Sequence, residues 1–173
     1  SRCDVTEDEY IEMIRLKTAV LLAGSLKIGA ILAGATAEDA ENLYNFGMHI
    51  GVAFQLQDDL LDVYGDPEVF GKKIGGDILC NKKTYMLIKA LEHADEKQQE
   101  ELNRWLNAET FQPAEKIEAV TEIYNQLNIR NVCENKMREY YTLAMESLAA
   151  VAVAEDRKKE LKNLVKLLMY REM

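Results

Sequence analysis

Residues 47 to 64 read Gly47-Met-His-Ile-Gly-Val-Ala-Phe-Gln-Leu-Gln-Asp-Asp-Leu-Leu-Asp-Val-Tyr64. This spacing predicts a helix, which Gly65 and Pro67 then end. Ile50, Val52, Ala53, Phe54, Leu56, Leu60 and Leu61 make it apolar on most sides, so it belongs inside a protein. Asp58, Asp59 and Asp62 interrupt that surface. At about 100° per residue, Gln55, Asp58, Asp59 and Asp62 fall within an arc of roughly 100°. Gly51 lies on the same side and is expected to leave room above the helix. Carboxylates this close repel one another, and burying them is costly without a positive partner. A hard divalent cation with oxygen ligands supplies one. Mg²⁺, which keeps several of its waters, suits so sparse a carboxylate set.

Downstream come Phe70-Gly-Lys-Lys-Ile-Gly-Gly-Asp-Ile78 and Asn81-Lys82. Gly75-Gly76 lets the backbone pass close to a ligand, and Lys72, Lys73 and Lys82 add positive charge around it. Acids and amines together describe a site for a metal and a phosphate. A bare D-D-x-x-D string is more often a solvated helix face. The apolar flanks and the Gly/Lys loop favour the functional reading here.

Phe54-Gln-Leu-Gln-Asp-Asp-Leu-Leu-Asp62, followed by Phe70-Gly-Lys72, Gly75-Gly-Asp-Ile78 and Asn81-Lys82, resembles the second aspartate-rich region of trans-isoprenyl diphosphate synthases. Farnesyl and geranylgeranyl diphosphate synthases are members of that family. A second stretch, Tyr10-Ile-Glu-Met-Ile-Arg-Leu-Lys-Thr18, resembles the family's Lys-Thr helix. Taken alone, Lys17 would be a snorkelling lysine and Thr18 a hydroxyl bonded back to its own helix. The resemblance implies Mg²⁺ on Asp58, with Asp62 and Asp59 acting directly or through water. It implies diphosphate contacts from Lys17, Lys72 and Lys82, and puts Thr18 and Gln55 beside the reacting carbons. Its substrates are an allylic diphosphate and isopentenyl diphosphate, joined head to tail. A cytoplasmic homodimer is the expectation for a full-length protein.

The match covers nearly all 173 residues but corresponds only to the family's C-terminal half. No first aspartate-rich motif, Gly-Lys-Arg stretch or arginine pair is present, and Ser1-Arg2-Cys3-Asp4 looks like a chain entered midway. The expectation is a fragment, inactive alone, with an exposed apolar face. Two rival readings share the pattern. One is a non-catalytic partner subunit of a synthase, which would have no use for Asp58, Lys17 and Lys72. The other is a class I terpene cyclase-like protein, which would usually carry an Asn/Asp-Ser/Thr-Glu triad instead.

Composition agrees with a helical globular protein. Hydrophobic residues make up 48% of the chain, which sets it apart from disordered proteins, and 2 prolines with 9 glycines allow long helices. A net charge of −9 disfavours nucleic acid and anionic membranes as partners. Residues 19–33 are broken by Lys27 and too short for a membrane span. Cys3, Cys80 and Cys133 form neither a disulfide framework nor a zinc pattern, so free thiols in a reducing cytosol are expected.

Local signals give an all-α orthogonal bundle of about seven helices in one domain, 1–173, within the isoprenoid synthase fold that the resemblance implies. Thr6-Glu7-Asp8-Glu9 is a capping box for a helix to about Leu32, with Ile11, Ile14, Leu21, Leu22, Ile28 and Leu32 as its apolar face. Thr36 caps the next helix, to Tyr64. Residues 68–76 read as a loop, and Asn81 to Tyr85 opens a helix to about His93. Asp95-Glu-Lys-Gln98 starts another, with Trp105 as a packing anchor. Pro113 fits a first turn. Further helices cover about 130–153 and from Glu155 onward. His49 is read as a packed or partly exposed histidine, turned away from the aspartates.

Overall fold

The computed structural model describes residues 5–66 and 74–169. Lys72, Lys73, Phe70 and Cys3 lie outside the described residues. Among those described, every regular element is helical. In chain order these are α1 (Glu7–Ile14), a π-helical turn (Arg15–Ala19), α2 (Val20–Leu32), α3 (Ala37–Tyr64), α4 (Gly76–Leu79), α5 (Tyr85–His93), α6 (Glu96–Asn107), α7 (Pro113–Gln126), α8 (Ile129–Ala150), a 3₁₀ turn (Glu155–Lys158) and α9 (Lys159–Met169). No helix among the described residues is long and apolar enough to cross a membrane.

The capping signals act as the sequence predicts. Glu9 accepts from the Thr6 backbone N–H at 3.0 Å, while the Glu9 N–H donates to Thr6 Oγ1 at 3.2 Å. Thr36 Oγ1 accepts from the Asp39 N–H at 3.1 Å and starts α3. Asp95 and Gln98 form a reciprocal capping box at α6. Each arrangement satisfies helix N–H groups that have no partner within the helix. α4 is a single turn that begins where the expected loop, 68–76, ends. One departure follows from a weak local signal: Trp105 is half-exposed beneath the Arg104 guanidinium, while Leu102 is the buried anchor of α6.

The chain divides into two compact units. One comprises residues 11–57 and 136–172. Its core is Phe46, Ile50, Ala53, Ala144, Leu148, Val165 and Met169, with Leu22, Leu26 and Leu43 packed against it. Gly47 and Gly51 of α3 meet Ala23 and Ala19 at very short range. A Cβ on Gly51 would lie 2.7 Å from both Cα and Cβ of Ala19, and one on Gly47 would lie 2.7 Å from Cα of Ala23. Gly51 therefore opens no space; Ala19 fills it. This close crossing decides which side of α2 is buried. Ala19, Ala23 and Ala30 are inside, whereas Leu21, Ile28 and Leu32, expected on the core face, are exposed, Leu32 to 83%. Small residues let the backbones approach, and Leu21, Ile28 and Leu32 are turned outward while Leu22 and Leu26 pack on the core.

Polar anchors tie the same unit together. Gln57 Nε2 donates to the Met169 carbonyl at 2.8 Å, and Asp39 Oδ1 accepts from the Ala152 N–H at 2.7 Å. His49 is half-buried beside Tyr140, with Ser147 Oγ 3.5 Å from its Nδ1. Burial pulls its pKa below 6.5, against the opposing Leu143 backbone hydrogen bond and Glu146 charge. A depressed histidine favours the neutral ring in the folded state. Its contribution is present above the unfolded pKa and is lost as pH falls through about 6.5 towards the folded value. The Tm advantage of the wild-type chain over His49→Gln is therefore expected to shrink between about pH 7.5 and pH 5.5. Thermal melts of the two proteins at both pH values check this; a constant difference contradicts it.

The other unit comprises, among the described residues, 5–10, 58–66 and 74–135. α5 buries Tyr85, Met86, Leu87, Ile88 and Ala90, and Leu102, Val120, Ile123 and Tyr124 of α6 and α7 are buried with them. Gly75 takes φ +83°, a left-handed conformation that suits glycine, and a Cβ there would meet Ile117 at 2.6 Å. Asn81 is also left-handed, at φ 52°. Its amide donates to the Leu106 carbonyl at 2.9 Å and accepts from the buried Lys116 Nζ at 2.6 Å. These contacts fix the segment that leads into Lys82. Cys80 is exposed and Cys133 is buried, and neither forms a disulfide among the described residues.

Candidate functional site

The unit of residues 1–10 and 58–135 holds the acids. The end of α3 carries Asp58, Asp59 and Asp62, and their surroundings differ sharply. Asp58 is half-buried, and among the described residues no hydrogen bond or ion pair holds its carboxylate. Asp62 is also half-buried; its Oδ2 accepts from the Asp77 N–H at 2.8 Å, and its backbone carbonyl accepts from the Gly75 N–H at 2.6 Å. The Gly-Gly-Asp turn at the start of α4 is thereby laid onto the acidic turn of α3. Asp62 Oδ1 lies 3.4 Å from where a Cβ on Gly76 would stand, an ordinary van der Waals distance.

Asp59 is 1% exposed. Its Oδ2 accepts from the Tyr10 hydroxyl, and its Oδ1 accepts from Lys82 Nζ at 2.9 Å. Lys82 also donates to Asp77 Oδ2 at 2.7 Å. Tyr10 comes from α1 and lies 6.3 Å, centroid to centroid, from Tyr85 of α5. Adjacent residues on a helix point about 100° apart, which is how Asp59 turns inward while Asp58 remains accessible. Burial pushes the Asp59 carboxyl above its ordinary pKa, and the Tyr10 and Lys82 hydrogen bonds oppose that rise. Burial likewise raises Asp77, against Lys82, with Asp62 and Asp58 adding to the rise. Burial lowers Lys82, but its bonds to Asp77 and Asp59 outweigh this and hold it above the usual lysine range. Burial, with the Asp59 charge next, drives the Tyr10 phenol far up.

The unit of residues 11–57 and 136–172 holds Lys17, Thr18 and Gln55. Lys17 and Thr18 lie in the π-helical turn, Arg15–Ala19. Such a turn inserts a residue into the helix and re-aims the side chains it carries. Thr18 Oγ1 donates to Gln55 Oε1 at 3.2 Å, so these two predicted residues are in contact. Lys17 is exposed, and no ion pair among the described residues engages it. Tyr10 and Asp77 are not singled out by sequence reasoning. The signal available is the inward phase of Asp59, which demands a donor, and the acid inside Gly75-Gly-Asp-Ile78.

The donor set can be tested against a metal ion. Among the described residues, no group of three or more His, Cys, Asp or Glu side chains could hold one unaided. A closed cage of protein ligands is thus not what this turn offers. Asp58 and Asp62, one helical turn apart, fit a Mg²⁺ ion that keeps most of its waters and takes further oxygens from a substrate.

The sequence model of the polyprenyl synthetase family matches residues 1–127. The chain belongs to the polyprenyl synthetase family. A short chain isoprenyl diphosphate synthase from Methanothermobacter thermautotrophicus is 50% identical over 101 residues, covering 58% of this chain and 31% of that protein. A (2E,6E)-farnesyl diphosphate synthase from Mycobacterium tuberculosis is 34% identical over 99% of this chain and 48% of its own length. A crystal structure of a geranylgeranyl pyrophosphate synthase superposes with a TM-score of 0.91 at 37% identity, covering 100% of this chain and 54% of that one. Another, from Corynebacterium glutamicum, complexed with calcium and isoprenyl diphosphate, gives a TM-score of 0.81 at 27% identity over 95% of this chain and 50% of its own. This polyprenyl synthetase chain thus spans about half the length, or less, of the relatives it matches. The all-α architecture expected for it is the one these structures share.

Proposed function

We propose that this chain supplies the diphosphate-ionising part of a trans-isoprenyl diphosphate synthase. The observation that carries the reading is the acidic turn of α3. Asp58, Asp59, Asp62 and Asp77 lie in one unit, Lys82 is paired with two of them, and Asp58 has no partner among the described residues. So much negative charge in a half-buried turn calls for a cation supplied from outside.

On this reading Asp58 and Asp62 would hold Mg²⁺. Lys17 and Lys72 bind oxygens of the allylic diphosphate. The bound metal would neutralise charge on the departing diphosphate. The allylic C–O bond breaks with its electron pair going to the diphosphate, leaving a carbocation. The alkene of isopentenyl diphosphate supplies the electron pair of the new C–C bond, and its proton passes to the released diphosphate. Thr18 and Gln55, already hydrogen-bonded, orient polar groups beside the reacting carbons. Positive groups fixed before the reaction stabilise the developing anion without reorganisation. The full activity, a cytoplasmic homodimer and both substrates are proposed for a full-length synthase; residues 1–173 alone are expected to be inactive.

Thermal melts test the site. Mg²⁺ and inorganic pyrophosphate together are expected to raise the Tm of the chain more than the sum of their separate effects, since each completes the other's site. The absence of any joint shift contradicts the reading.

A further inference from the structure

We propose that Asp59 and Lys82 are positioning residues rather than a metal ligand and a diphosphate contact. Resting on the reading of α3 as the metal-bearing helix, the proposal assigns them a different role: a lock that presents Asp58 and Asp62.

The argument starts from what each group has left to offer. Both oxygens of Asp59 are engaged, Oδ2 by the Tyr10 hydroxyl and Oδ1 by Lys82 Nζ, and the residue is 1% exposed. A metal ligand needs a lone pair facing the ion and its waters, and the oxygens of Asp59 instead face the buried Tyr10 hydroxyl and the ammonium of Lys82, whose side chain is 36% exposed. Lys82 spans two carboxylates, at 2.9 Å and 2.7 Å. An approaching diphosphate would meet a group of two acids and one amine, which is net negative. Withdrawing Lys82 towards a ligand would strand the buried Asp59, and uncompensated buried charge is strongly disfavoured.

What the lock holds is visible in its connections. Tyr10 ties α1 to α3. Lys82 ties the segment before α5 to α3 and to Asp77. Asp77 in turn donates its backbone N–H to Asp62 Oδ2. Tyr10, Asp59, Lys82, Asp77 and Asp62 thus form one chain of hydrogen bonds that ends on a proposed metal ligand. It holds Asp62 Oδ2 against the Asp77 N–H, and Oδ1 takes no part in that bond.

The experiment uses the chain as it stands, with the single variants Asp59→Asn and Lys82→Met, their double variant, and the milder Tyr10→Phe. Two quantities are read for each: the Tm without ligand, and calorimetric binding of pyrophosphate at saturating Mg²⁺ together with the number of Mg²⁺ ions bound. Asp59→Asn is expected to lower the Tm by about 5 °C or more and to weaken binding by about tenfold, as disturbed supporting residues do, with the metal count unchanged. The double variant is expected to cost no more than Asp59→Asn alone, because the two residues serve one contact. Tyr10→Phe is expected to give the same pattern at smaller size, and remains informative if Asp59→Asn fails to fold.

Loss of a bound Mg²⁺ in Asp59→Asn with an unchanged Tm would make Asp59 a ligand and overturn the proposal. So would Lys82→Met weakening pyrophosphate binding at unchanged Tm, with an effect additive to Asp59→Asn. A lowered Tm with wild-type binding would reduce the lock to a purely structural contact and overturn the positioning role. A wild-type chain that binds no Mg²⁺–pyrophosphate defeats instead the functional reading, and a positioning role with it.

Discussion

Gly51→Val is expected to destabilise the protein by about 3 kcal/mol, at the upper end of what overpacking a well-packed site costs. At this chain length that corresponds to a Tm lowered by roughly 6–12 °C. The cause is specific. A Cβ at Gly51 would sit 2.7 Å from the Ala19 Cα, a backbone atom that cannot rotate away. Helix propensity works in the opposite direction, because replacing glycine inside a helix gains up to about 1 kcal/mol where there is room. Gly24 of α2 has that room: nothing lies within 4 Å of where a Cβ would stand. Gly24→Ala is therefore expected to leave stability unchanged or raise it slightly. Chemical denaturation of both variants checks the pair, and equal effects would contradict the close crossing. Ala19 is also the last residue of the π-helical turn that carries Lys17 and Thr18. Forcing α3 away from it should loosen the Thr18–Gln55 hydrogen bond as well, so packing and chemistry are linked at this crossing.

Much of this architecture can be read from the sequence, for reasons that differ from element to element. α3 runs from Ala37 to Tyr64 as its apolar spacing and the Thr36 cap indicate. The capping boxes at Thr6 and Asp95 are local chemistry, so three or four residues suffice to predict them. The acidic turn is legible for the same reason, since carboxylates in an apolar helix conflict with their surroundings. The π-helical turn escapes such reading because one extra residue in a helix barely disturbs a 3.6-residue pattern. For the buried side of α2, hydrophobicity points to Leu21, Ile28 and Leu32, whereas closeness to Gly47 and Gly51 selects Ala19 and Ala23. Asp58 and Asp59 look equivalent in a string. Only a third dimension shows that one is accessible and the other is held by Tyr10, a residue 49 positions earlier.

Asp58→Asn has the largest effect expected on ligand binding. The substitution keeps shape and removes charge. Among the described residues no partner depends on the Asp58 carboxylate, so the Tm without ligand should move by no more than about 1–2 °C, the range of a surface substitution. Asparagine is a far poorer ligand for a hard cation than carboxylate. Loss of a supporting residue around a metal typically costs about tenfold to a hundredfold, and loss of the direct ligand should cost at least about 100-fold, or about 2.7 kcal/mol. Asp58→Asn and Asp59→Asn thereby separate two kinds of defect: one loses the metal and keeps the fold, the other weakens the fold and keeps the metal.

Calorimetric titration of pyrophosphate into the wild-type chain and into Asp58→Asn, each with Mg²⁺ and with chelator, tests the central claim most directly. The expected result is binding to the wild-type chain that requires Mg²⁺, weakened at least about 100-fold in a folded Asp58→Asn protein. Binding that is indifferent to Mg²⁺, or equally tight with asparagine at position 58, would contradict it.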